Sequence, residues 1–291
     1  DATSLTSITS PNSVTTIGEY TFYGATSLTS VTFEAGSVLT TIGDLAFSYA
    51  TSLTSITIPN SVTTIGELAF GDATSLTSIT IPKSVTTIGE MAFVRTTALK
   101  TVTFASGSAL ASIGNLAFYG ATSLTSITIP NSVTTIGTGA FRNTTSLTSI
   151  TIPNSVTTIG DYAFYGATSL ASVTFEGKAP IASGVAFGDV TGAVANIGSA
   201  ATGFGSATTW NGLTIVRASE ISSVDCSAGG SFTITDNVVT ASTNCAGESV
   251  IPNSVTSIAN RAFHSAGALQ TVSFAAGSAL ASIGNSAFDG A

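Results

Sequence analysis

Along most of its length the chain sets apolar and polar residues in one recurring order. In Ser52–Pro59 (SLTSITIP), Leu53, Ile56 and Ile58 are apolar, and Ser55 and Thr57 are polar. The period of two predicts a β-strand with Leu53, Ile56 and Ile58 inward and Ser55 and Thr57 outward. Pro59 lacks an N–H and predicts the end of that strand, and Asn60-Ser61 suits a turn. The β-branched run Ser61–Ile65 (SVTTI) predicts a second short strand on another face of the coil, which Gly66 ends. The stretch Gly66–Ala73 (GELAFGDA) is too short to stand alone as a helix. It is expected to make a single helical or 3₁₀ turn. The acid after the glycine (Glu19, Asp44, Glu67, Glu90, Asp161) is expected to cap the positive end of that turn, although Asn115 and Thr138 interrupt the column.

This order repeats. Ser52–Gly66 returns letter for letter at Ser123–Gly137 and Ser146–Gly160, and with one change each at Ser75–Gly89 (Lys83) and Ser4–Gly18 (Ser10). A phenylalanine closes each unit at Phe22, Phe47, Phe70, Phe93, Phe118, Phe141, Phe164 and Phe187, at spacings of 25, 23, 23, 25, 23, 23 and 23. A longer rhythm of 71 residues separates Phe22, Phe93 and Phe164. The long units, Val31–Gly43 and Val102–Gly114, gain two residues and put a Phe where the short units have Ile-Pro; the extra residues are expected to bulge on one edge. Small residues precede the Phe column at Ala46, Ala69, Ala92, Ala117, Ala140 and Ala163. A period of 20 to 30 residues headed by Leu-x-x-Ile-x-Ile is leucine-rich-repeat spacing, and such units stack on their neighbours. The expected fold is a β-rich leucine-rich-repeat solenoid of 23- and 25-residue repeats. Leu5, Ile8, Val14, Ile17, Phe22 and their equivalents are expected inside.

The pattern Leu-x-x-Ile-x-Ile-Pro-x-Ser-Val-x-x-Ile-Gly-x-x-Ala-Phe resembles the BspA-like leucine-rich repeat family, from Asp1 to about Phe187 and again from Val250 to Ala291. The resemblance implies a surface or secreted protein of the kind found in bacteria and protists, whose studied members bind host or bacterial surface ligands. It implies no family-wide catalytic residue. The chain departs from many relatives in lacking a Cys near the end of each repeat. Its unusual uniformity points to recent internal duplication.

The regularity fails after Phe175. Residues 1–175 read as the solenoid, and 176–219 as an atypical repeat and cap with Trp210 as an apolar plug; the alternative for Trp210 is a ligand-stacking platform. Residues 220–249 read as a β-hairpin, with SFTIT and VVTAS flanking Asp236-Asn237. Residues 250–291 begin a second repeat block, with Phe263 and Phe288 again 25 apart. Cys226 and Cys245, the 2 cysteines of the chain, sit near the ends of the hairpin. A disulfide between them is expected and implies an oxidising compartment; the alternative is two free buried thiols. Two Cys and a distant His264 do not make a tetrahedral metal site. The sequence opens and stops in the middle of a repeat and is expected to be an excerpt of a longer chain.

Composition narrows the function. The 291 residues hold 7 Lys and Arg against 15 Asp and Glu, a net charge of −8. Nucleic acid and anionic membranes, which need clustered cations, are not expected partners. No apolar run is long enough for a transmembrane helix. The single His264 follows a repeat Phe, at a position that varies from coil to coil. No G-x-S-x-G, P-loop or H-E-x-x-H occurs. No enzyme activity, metal or cofactor is expected.

Two surfaces remain. One is a hydroxyl lattice on the strand face: Thr9, Thr32, Thr57, Thr80, Thr103, Thr128, Thr151 and Thr174, beside a column of Ser and Thr from Ser7 to Ser172. Thr also simply suits an exposed strand. The other is the changeable column after the repeat Phe (Tyr23, Ser48, Gly71, Val94, Tyr119, Arg142, Tyr165), expected to be exposed. Tyr and Arg are common contact hot spots, so Tyr23, Tyr119, Arg142 and Tyr165 are the candidate contact residues. The leading expectation is a non-catalytic extracellular or cell-surface protein that acts in adhesion or binding, toward a protein or glycan surface ligand. The alternatives are a self-assembling fibre or sheath element that binds copies of itself, and an ice- or crystal-binding Thr array.

Overall fold

A computed structural model describes residues 2–198, 201–205, 207–217, 222–235, 238–252, 255–278 and 280–291. The chain forms two compact units, Asp1–Arg217 and Ala218–Ala291.

In the first unit each repeat makes one coil with three faces. The first face is a parallel ladder. Ser7–Ser10 pairs with Ser30–Phe33, which pairs with Ser55–Ile56. A single bridge from Thr57 to Thr80 leads on to Ser78–Ile81. The ladder then runs through Thr101–Phe104, Ser126–Thr128, Ser149–Ile152 and Ser172–Phe175. Val194–Ile197 and Leu213–Arg217 extend it, so the strand face continues where the repeat sequence has faded. The second face is an eight-stranded parallel ladder of two-residue strands from Thr16–Ile17 to Ile181–Ala182. Both faces keep their register across the long repeats: Ser7 faces Ser30 and Ser30 faces Ser55, while Thr16 faces Thr41 and Thr41 faces Thr64. The two extra residues are therefore confined to the corner between the faces. Gly36 and Gly107 turn that corner at φ 76° and 73°, a region open to Gly without a Cβ clash.

The third face differs from expectation. Gly66–Ala73 and its equivalents are not helical. In one coil, Leu45, Phe47 and Tyr49 donate their N–H to the carbonyls of Glu67, Ala69 and Gly71 in the next, at 2.8, 2.7 and 2.8 Å. The alternate residues Ala46, Ser48 and Ala50 donate three residues back within their own coil. Leu45 and Tyr49 take left-handed φ of 53° and 58°, and this alternation keeps the segment out of a helix. Inter-coil bonds thus satisfy the backbone on this face too. The acidic column is consequently no helix cap. Asp44 Oδ1 accepts the N–H of Glu67 in the next coil at 2.7 Å, and Asn115 Oδ1 accepts that of Thr138 at 2.9 Å. An Asn supplies the same acceptor, which explains its presence in the column.

The core is a ladder of rings. Phe47, Phe70, Phe93, Phe118, Phe141 and Phe164 are fully buried. From Phe22 to Phe187 successive centroids lie 4.8 to 5.4 Å apart, with planes within 13° of parallel. One ring per coil stacks because the inter-strand spacing is itself about 4.8 Å. Leu5, Ile8, Val14 and Phe22, in the first coil, are half-buried against this core. The glycine before the turn face is fixed by contact: a Cβ on Gly89 would lie 2.6 Å from Glu67 N and Gly66 C of the previous coil. Trp210 is half-buried, its ring centroid 4.9, 5.9 and 5.7 Å from those of Phe175, Phe187 and Phe204.

In the second unit, Ser222–Asp225, Ser231–Thr235 and Val238–Thr243 form an antiparallel meander. The turn residues Asp236-Asn237 lie outside the described residues; the flanking Thr235 and Val238 are paired. Ser257–Ile258 and then Ser282–Ile283 add to the meander in parallel, and Ala246–Ile251 pairs with Ala268–Phe274. Cys226 and Cys245 form a disulfide, with Cα atoms 5.4 Å apart and both side chains buried. Phe263 stacks on Phe288 at 5.1 Å and 7°, so the ring ladder restarts here.

Candidate functional surfaces

The threonines of the strand face pair across coils in three separate groups. Thr9 and Thr32 are paired and their hydroxyls lie 2.9 Å apart. Thr57 bridges to Thr80 and Thr80 pairs with Thr103. Thr128 pairs with Thr151 and Thr151 with Thr174. Between these groups the ladder stops short: from Ser30–Phe33 to the next strand only Ser30↔Ser55 and Val31↔Ile56 pair, and from Thr101–Phe104 only Thr101↔Ser126 and Val102↔Ile127. Both interruptions fall where a short coil follows a long one. The two extra residues follow Thr32 and Thr103, where the long coil's pairing to the short coil ends.

On the turn face the structure joins three of the four candidate contact residues. The Arg142 guanidinium carbon sits 5.8 Å from the Tyr119 ring centroid, 5.2 Å from Tyr165 and 5.6 Å from Tyr162. Arg142 Nε is buried and makes no hydrogen bond. The Tyr165 hydroxyl hydrogen-bonds the Asp189 side chain; that bond, with the negative charge of Asp189, raises its pKa above the ordinary phenol value. Tyr23 stands apart. Its ring meets Tyr20 and Tyr49 edge-on at 5.6 and 5.5 Å. Between the two groups Arg95 grips Asp72 through two contacts of 2.7 Å, which lifts the arginine's pKa further above its usual range.

The column after the repeat Phe is more buried than its variability implies. Ser48, Gly71 and Val94 are buried, and Tyr23, Tyr119, Arg142 and Tyr165 are half-buried. Residue size there is limited by the neighbouring coils: a Cβ on Gly71 would lie 3.2 Å from Val94 Cγ1. All 6 tyrosines of the chain (Tyr20, Tyr23, Tyr49, Tyr119, Tyr162, Tyr165) occupy this one face. The position after the repeat Phe identifies only three of them. Tyr49, Tyr20 and Tyr162 occupy left-handed positions, at φ 58°, 56° and 57°, which a helical reading of the segment hides.

His264 is exposed, with Nδ1 3.5 Å from Asp289 Oδ2. Among the described residues no group of three His, Cys, Asp or Glu is placed to hold a metal ion.

A family model described as a BspA type leucine rich repeat region matches residues 1–110, 105–207 and 221–291. A leucine-rich repeat protein from Bacteroides ovatus shares the fold, with a TM-score of 0.55 and 23% identity over 99% of this chain and 77% of its own. A leucine-rich cell surface protein from Faecalibacterium prausnitzii aligns at TM-score 0.43 and 27% identity, over 98% of this chain and 58% of its own. The T. pallidum leucine-rich repeat protein aligns at 0.49 and 28%, over 62% of this chain and 79% of its own. No curated protein matches the sequence.

Proposed function

Taking as premise that the chain belongs to the BspA-type leucine-rich repeat family, we propose that it is a non-catalytic extracellular surface protein that binds a protein ligand through its turn face. The observation that carries this reading is the Tyr119–Arg142–Tyr165 cluster. It presents an arginine braced by rings, and desolvated Arg and Tyr side chains are the usual anchors of protein contacts. The stripe from Tyr20 to Asp189 crosses eight coils, roughly 34 Å at the inter-strand spacing, a length suited to an extended interface. The Cys226–Cys245 disulfide supports an oxidising, extracellular setting. Among the described residues no helix is long and apolar enough to cross a membrane.

The test is binding of the labelled chain to arrayed extracellular proteins, for the parent and for Y23A/Y119A/R142A/Y165A. The parent should bind at least one spot and the variant should lose it while its circular dichroism stays unchanged. Equal binding by a folded variant refutes the turn face as the site. A parent that sediments as an assembly which the variant dissolves would assign the same face to contact between copies of the chain.

A further inference from the structure

The two breaks in the strand ladder open two equivalent clefts. One, of about 540 Å³, lies between Phe33–Ser37 and Thr57–Ser61. The other, of about 630 Å³, lies between Phe104–Ser108 and Thr128–Ser132. Every shared lining position is 71 residues from its counterpart: Phe33 and Phe104, Thr57 and Thr128, Asn60 and Asn131, Ser61 and Ser132. The clefts are thus products of the long repeat. Its two extra residues form the corner at Gly36 or Gly107, and the shorter coil behind has no residues to pair with them.

The lining has a distinct chemistry. Four short coils put Ile58, Ile81, Ile129 or Ile152 at the position of Phe33 and Phe104, and a later one puts Phe175 there; all five are buried. The two rings are only half-buried, at the cleft wall. Around each ring stand a Thr hydroxyl, an Asn amide and a Ser hydroxyl. Ser132 Oγ is buried without a hydrogen-bond partner, whereas Ser61 Oγ donates to the carbonyls of Ser37 and Leu39. No Lys or Arg lines either cleft. The one carboxylate, Glu34, already accepts the N–H of Asn12 at 3.1 Å.

The geometry points to these clefts as a pair of binding sites for the pyranose residues of a neutral linear polysaccharide. A ring face packs against the C–H face of a sugar, the hydroxyl and amide groups meet its hydroxyls, and the missing cations disfavour an acidic glycan. The two clefts are three coils apart, about 14 Å at the inter-strand spacing, which an oligosaccharide of a few residues spans. A polymer that occupies both gains avidity that a monosaccharide cannot. This site is separate from the turn face and does not rest on it.

The chain itself supplies substitutions that its fold accepts. Ile occupies the Phe33 column in four short coils (Ile58, Ile81, Ile129 and Ile152), and Lys83 occupies the Asn60 column in another coil. F33I/F104I therefore removes the rings, and N60K/N131K adds charge, with native precedent for both. The assay is affinity electrophoresis of the full chain through gels containing dextran, laminarin, mannan or galactomannan, with hyaluronan as the acidic comparison. Retardation by at least one neutral polymer and not by hyaluronan is expected. Each double variant should weaken it by about tenfold or more, with an unchanged melting temperature. Y23A/Y119A/R142A/Y165A should be retarded like the parent. No retardation in any neutral gel, stronger retardation by hyaluronan, or equal retardation of the double variants overturns the proposal.

Discussion

Phe70→Ala tests the ring ladder at its most ordered point. Phe70 is fully buried, and its ring lies 5.3 Å from Phe47 and 5.3 Å from Phe93, with planes 11° and 1° from parallel. Truncating a fully buried Phe costs about 3–5 kcal/mol in lost transfer energy and residual cavity. Two stacked pairs at ~0.5–1.5 kcal/mol each account for part of that. The cavity cannot collapse readily, because the backbone of each coil is bonded to its neighbours on all three faces. Phe22 has one stacked neighbour, Phe47, and is half-buried, so Phe22→Ala should cost about half as much, ~2 kcal/mol. Urea unfolding followed by far-ultraviolet circular dichroism reads both variants. The single Trp210, packed against the Phe187 end of the ladder, shows by fluorescence whether the unit melts as one block or breaks at the defect. A loss below ~1 kcal/mol for Phe70→Ala, or a larger loss for Phe22→Ala, would refute the account of the core.

Three further outcomes follow from named contacts. Gly89→Ala should destabilise by ~1–3 kcal/mol, read as a lowered urea midpoint, because its Cβ meets the preceding coil's backbone. Replacing Cys226 and Cys245 by Ser should lower the stability of the 218–291 unit by ~3 kcal/mol, the chain-entropy value for a loop of this length, and non-reducing mass spectrometry of the parent should find no free thiol. Asp189→Asn should return the Tyr165 pKa toward the ordinary phenol value in an ultraviolet titration. The parent's raised pKa means that this contact stabilises at pH below the unfolded phenol pKa and fades as pH rises through the folded one.

The coil was legible because it is written so often. Ile56 and Phe70 sit in identical surroundings in several coils, so period and burial coincide. Turn conformation was not legible. Gly66–Ala73 has the apolar spacing of a helical turn, but backbone bonding to the next coil decides its shape, and that partner lies 22 residues away. The role of Asp44 was misread for the same reason: its acceptor serves the neighbouring coil. Arg142 could be picked out by residue type, but Tyr162 joins it through a left-handed backbone that the local sequence does not announce. The clefts depend on a difference in length between adjacent coils. That difference stood in the 25- and 23-residue spacings, yet only the lost pairing at Thr32–Thr57 and Thr103–Thr128 shows what it does.

The central functional claim, that the turn face and not the strand face binds the protein ligand, is tested most directly by a crossed comparison. On the array spots that the parent binds, Thr80→Glu places a charge in the hydroxyl lattice and Y119A/R142A/Y165A dismantles the tyrosine–arginine cluster. The account predicts that Thr80→Glu binds like the parent and that the triple variant is weaker by about a hundredfold, the loss of a ~3 kcal/mol anchor. Loss of binding in Thr80→Glu with unchanged melting, together with retention in the triple variant, would contradict it and assign function to the threonine lattice.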